Sequence, residues 1–222
     1  TDAGGDILLE AGVALGGVGG SILVRTGFGE ASSSGDFTIM TANAGTAGVS
    51  GALDLSTGTT SSGNSGSFML STGAATSGRA GAVSVKVGTM QSPSDEDDPV
   101  TGGTVTIMAG GVYDEGDFSG GRITLRSGYA TYTSSGNVEL STTNAGDAGV
   151  SGRLYFHTGT ASAEAGTGSL SVATGTASQG RGGDVIATVG GGTSGVGGAI
   201  ALQAGLTTEA TGGSVVLASG FG

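Results

Sequence analysis

From Asp6 onward, apolar and polar residues alternate in short runs that restart every fifteen or sixteen residues along most of the chain. In Ser67–Gly81, Phe68, Leu70 and Thr72 fall on one face and Ser67, Met69 and Ser71 on the other. That period of two marks an extended segment with one side facing inward. Gly73 ends the run, and Ala74–Gly81 carries nothing bulkier than Thr apart from Arg79. The next alternating run, Ala82–Gly88, begins at once.

Runs of this kind begin at Asp6, Ser21, Asp36, Ala52, Ser67, Ala82, Thr104, Arg122, Asn137, Arg153, Ser169, Asp184, Ala199 and Ser214, which defines fourteen laps. Each lap has three inward positions, such as Ile22/Val24/Thr26, Val138/Leu140/Thr142 and Leu170/Val172/Thr174. The first two are large and apolar in nearly every lap, whereas the third is always Thr, Ser, Ala or Val. A repeat this short cannot bury its apolar face alone and must stack on its neighbours.

The pattern therefore predicts an all-β fold: a single-stranded parallel β-solenoid (β-helix) of about fourteen coils of 15–16 residues, flattened, with two walls. Coils stacked at the strand spacing of about 4.7–4.9 Å would make a rod of roughly 65 Å. In such a rod Leu70 would be buried, and its loss would cost about 2–5 kcal/mol.

Residues 1–222 read as one continuous solenoid carrying a slower, six-lap superrepeat: 6–103, 104–198 and a partial third over 199–222. Laps three and nine share Asn43–Gly51 and Asn144–Gly152, and laps five and eleven end in Gly78-Arg79-Ala80-Gly81 and Gly180-Arg181-Gly182-Gly183. Laps two, eight and fourteen place an aromatic just past a glycine, at Phe28, Tyr129 and Phe221, the candidate partner-docking residues. Laps six and seven are enlarged by acidic loop insertions over 90–101 and 111–119.

Composition narrows the classes further. Glycine contributes 50 of the 222 residues, about three times ordinary usage, yet it does not recur every third position and there are only 2 prolines, so collagen is excluded. A flexible Gly/Ser linker has this composition too, but periodic apolar placement argues against one. A net charge of −11 with only 7 Lys and Arg cannot form the basic stripe that phosphate backbones need, so nucleic acid is not an expected partner. No apolar run approaches the twenty or so residues that span a bilayer. The chain opens on Thr1 without a signal peptide and reads as a window of a longer precursor, so continuation into more chain is expected.

Candidate chemistry is sparse. Asp95, Asp97, Asp98, Asp114 and Asp117 could supply oxygen ligands to a hard cation such as Ca²⁺, but they lack the spacing of an EF-hand loop or of the calcium-binding nonapeptide. A solvated acidic loop that keeps the rod soluble is the favoured reading of them. His157 is the single histidine and there is no cysteine, so no nucleophile with its base emerges and no paired carboxylates suggest glycoside hydrolysis. No catalytic residue is assigned and no cofactor is expected.

Two resemblances bear on function. Thr59/Ser61, Ala74/Thr76, Thr160/Ser162 and Thr176/Ser178 resemble the small-residue ladders of β-solenoid antifreeze proteins, which implies ice binding as an alternative. Phe28, Glu30, Tyr129 and Leu206 interrupt that ladder. The recurrent Ser-Thr-Gly unit also looks like the long repeat proteins on the surfaces of algae and other microbial eukaryotes, and like bacterial adhesin stalks. That resemblance implies a non-enzymatic structural or adhesive role, extracellular or at the cell surface, as a rigid rod segment of a fibre, filament or appendage; a carbohydrate-binding solenoid is the further alternative. Uncapped ends would then pair end to end with other copies, and the small-residue wall would allow side-by-side contact.

Overall fold

The computed structural model describes residues 4–90, 101–113, 118–147, 149–162 and 166–220. It divides into two units, Thr1–Met108 and Ala109–Gly222. The first holds laps one to six and the opening of lap seven, and the second holds the remaining laps.

The parallel β-solenoid is not what forms. Among the described residues there is no strand and no helix, so the β-helix architecture, with its two sheet walls, is corrected. Stacked laps would exchange backbone hydrogen bonds along a ladder. Instead, the backbone pairs found among the described residues are Gly20 N–H to Gly12 O, Gly35 to Gly27, Gly121 to Gly110, Gly136 to Gly128 and Gly213 to Gly205, at 2.8–3.1 Å. Each closes one lap on itself. The physical reason lies in the lap's composition. Two large apolar side chains are a small return for ordering fifteen backbone residues, and glycine loses more freedom on ordering than any other residue.

The alternation read from the sequence survives as a difference in accessibility. Ile22 and Val24 are 53% and 61% exposed, whereas Leu23 between them is 77% exposed. Yet none of the described hydrophobic residues is buried, and the accessible surface is 22679 Å². Among the described residues of either unit, no shared apolar core holds the laps.

Closure is local and repeats without exception. In all thirteen laps that end in a described glycine, that glycine lies against the third inward residue: Gly20 on Ala11, Gly35 on Thr26, Gly51 on Thr41, and so on to Gly213 on Ala204. A Cβ added at Gly20 would stand 3.2 Å from the Ala11 Cβ, and one at Gly183 would stand 3.4 Å from the Thr174 Cγ2. At Gly198 it would run into the Val189 Cγ1 at 2.6 Å. Contacts under about 3 Å force something to move. The third position is small because the backbone comes back against it.

A second glycine shapes the return. Gly48, Gly63, Gly78, Gly149 and Gly195 have φ between 82° and 141°, and each stands three residues before the closing glycine of its lap. At Gly78 (φ 122°) the chain turns in a region that a Cβ disfavours by about 1–2 kcal/mol.

Two outcomes check this architecture. Leu70 is exposed, so Leu70→Ala should change the apparent stability by less than about 0.5 kcal/mol rather than by the cost of a buried cavity; chemical denaturation followed by fluorescence of an attached dye would show it. In NMR amide exchange, the N–H groups of Gly20, Gly35, Gly121, Gly136 and Gly213 should exchange about fivefold more slowly than those of Gly58 and Gly175, the protection expected from one bond of about 1 kcal/mol.

Candidate functional site

The clasp formed by a lap's third inward residue and its closing glycine is the one arrangement of side chain and backbone that recurs through both units. In laps three, four, nine and ten Thr41, Thr57, Thr142 and Thr158 lie against the closing glycine, and in the other nine laps the clasp takes one of three chemical forms. Laps one, two, seven, eight and thirteen join glycine N–H to glycine carbonyl. In laps five and eleven the third residue is Thr, and its hydroxyl donates to the closing glycine carbonyl: Thr72 Oγ1 to Gly81 O at 3.1 Å, and Thr174 Oγ1 to Gly183 O at 3.3 Å. In laps six and twelve it is Val87 and Val189, whose Cγ1 methyls occupy the space a Cβ would need at Gly103 and Gly198. Each form returns six laps later.

The identity of the third residue explains most of this. Ala11, Ala109, Ser127 and Ala204 are the smallest occupants, and beside them the returning N–H comes within bonding distance of the carbonyl one residue further on. Thr occupies the position in seven laps and does not fix the form: the lap of Thr26 closes with the Gly35–Gly27 backbone bond, Thr72 and Thr174 donate their hydroxyls, and Thr41, Thr57, Thr142 and Thr158 lie against the closing glycine. Val87 and Val189 bring no hydroxyl, and their contact is apolar; they are 44% and 47% exposed, the least exposed large hydrophobic residues in the described chain.

Phe28 and Tyr129 directly follow the acceptor glycines Gly27 and Gly128 of two such clasps. Each ring is therefore carried at the neck of a closed loop and points away from any packing, at 89% and 90% exposed. The path is tight just after Phe28, since a Cβ at Gly29 would meet the Ser33 and Ser32 carbonyl oxygens. Phe221 lies outside the described residues. The calcium candidates Asp95, Asp97, Asp98, Asp114 and Asp117 lie outside them as well. Among the described residues no three His, Asp or Glu side chains stand together as a metal site would require.

Lap ten contains the remaining polar cluster. Arg153 Nη1 donates to the Tyr155 hydroxyl at 2.9 Å, while His157 Nδ1 lies 3.3 Å from the carbonyl of Thr158. His157 is thus engaged with the backbone of the next residue. Arg181 Nη2 reaches both carboxylate oxygens of Asp184 at 2.8 Å. This ion pair bridges the end of lap eleven and the start of lap twelve across Gly183, a short-range tie that sequence pattern alone did not single out; an Arg followed three residues later by an Asp was the available signal. Both side chains are well exposed, so solvent screens the pair.

No family model, no curated protein and no solved structure matches the chain. Among the described residues no helix is long and apolar enough to cross a membrane.

Arg181→Ala should cost at most about 0.2–1 kcal/mol, as exposed ion pairs do, and the difference from the unaltered chain should vanish at about 1 M salt. Chemical denaturation of both chains, compared in low and high salt, reads both effects.

Proposed function

We propose that this chain is a non-enzymatic structural protein, the repeating segment of an extracellular fibre, filament or surface appendage, that associates with further copies of itself. The observation that carries the reading is that apolar side chains recur in every lap and stay exposed: none of the described Val, Leu, Ile or Phe residues is buried within the chain. Water-exposed apolar surface costs about 25 cal/mol per Å² relative to covered surface. A second copy presents the same pattern with the same fifteen-residue spacing, so copies can cover one another over many laps at once.

The quantities are sufficient. Full burial of a Val, Leu, Ile or Phe side chain is worth about 1.5–3 kcal/mol, equivalent to about 60–120 Å² of surface. With roughly half of that still exposed, the first and second inward residues of either unit amount to several hundred Å², comparable to the roughly 800 Å² per partner of a stable interface. Stiffness from a stacked sheet is no longer part of the reading. What remains is a tandem segment whose laps are individually closed and jointly sticky. The lack of cysteine and the single histidine support the non-enzymatic part, and laps rich in small residues suit a load-bearing or adhesive surface.

Sedimentation velocity of the chain across a hundredfold range of concentration should show growing oligomers that dissociate in mild denaturant, with negatively stained images showing elongated assemblies. A species that stays monomeric at the highest concentration would reject self-association. Inhibition of ice recrystallisation by the monomer would replace this reading with ice binding.

A further inference from the structure

The clasps do more than close laps: they decide where tension would run. In lap one the chain enters through Ala11, the Gly20 N–H is bonded to the Gly12 carbonyl at 2.8 Å, and the next lap starts at Ser21. A pull along the chain therefore passes from Gly12 to Gly20 through that bond. The residues between them hang outside the load path. The same holds for Gly27–Gly35, Gly110–Gly121, Gly128–Gly136 and Gly205–Gly213, and for the Thr72–Gly81 and Thr174–Gly183 closures made by a hydroxyl.

We propose that these closed laps are stored length: under tension the clasps open individually, each releasing its loop into the extended chain, and on relaxation they close again. The proposal rests on the fibre reading for the source of the tension, and on the clasp geometry for the response. Three observations carry it. First, each closure stands at the base of its own loop, so opening one frees a fixed number of residues. Eight residue steps, as between Gly12 and Gly20, span about 26–29 Å when extended, against a neck held by one bond; the seven bonded laps together store roughly 200 Å. Second, no described side chain is buried, so no shared core links one closure to the next and forces them to open together. Third, the closures are exposed single hydrogen bonds, which break and re-form readily in water, and the loops they hold consist mainly of small residues that present little hindrance to re-closure.

Single-molecule stretching of the full chain, tethered by its two ends, tests this directly. The unaltered chain should lengthen at low force by about 25 Å for each eight-step lap opened, without one dominant cooperative event, and should shorten along the same curve on release. A variant with Gly20, Gly35, Gly121, Gly136 and Gly213 replaced by proline, which has no N–H to donate, and with Thr72→Val and Thr174→Val, should already be longer at low force, because a released contour of up to roughly 200 Å is then free from the start. It should reach the same final length, because the residue number is unchanged. A control with five prolines at Gly58, Gly73, Gly159, Gly175 and Gly190, which donate none of these bonds, should retain the low-force lengthening. The proposal is overturned if the unaltered and clasp-deficient chains give superimposable curves, or if the control loses the lengthening as fully as the clasp-deficient chain. The measurement uses one molecule, so its failure would leave the fibre reading intact, and failure of copies to associate would leave the measured lengthening intact.

Discussion

Everything local in this protein depends on how closely the returning backbone can approach the third inward residue of its own lap. Glycine at the closing position permits that approach, and Ala, Ser, Thr or Val at the third position limits it. Where the third residue is smallest, a backbone hydrogen bond usually forms; where it is Thr, the hydroxyl forms it in laps five and eleven; where it is Val, a methyl fills the gap. Size at this position separates the Ala and Ser laps from the Val laps, while laps with Thr take more than one form.

This explains how a lap can be closed although no described hydrophobic side chain is buried. Closure needs a neighbour eight to sixteen residues away along the chain, a short loop whose entropic cost is modest. Stacking needs lap upon lap in register and repays nothing until several have assembled. With fifty glycines to immobilise and two large apolar side chains per lap, the short-range closure forms and the long-range ladder does not. The exposed apolar residues that result are the basis for association between copies, and the independent closures are the basis for extension under load.

The polar residues play a smaller part. Arg181 and Asp184 are geometrically well paired but wet, and Arg153, Tyr155 and His157 satisfy one another or their own backbone. Phe28 and Tyr129 differ from these because the clasp fixes their place: each follows an acceptor glycine and is held out at the neck of a loop.

The sequence by itself determined the lap length, the face on which Ile22, Val24 and their counterparts lie, and the smallness of the third position, because side-chain alternation and residue size are properties of the local chain. It also pointed to the six-lap recurrence of Gly78–Gly81 in Gly180–Gly183. What it did not determine was the use of that smallness. Read as a step in a stacked wall, Thr72 belonged to a sheet, and only the tertiary structure placed its hydroxyl on the Gly81 carbonyl of the same lap. The same apolar triplet satisfies the local pattern whether laps stack or close separately. The choice rests on contacts distant in sequence and on the entropy of glycine, and neither is written in the alternation of residues.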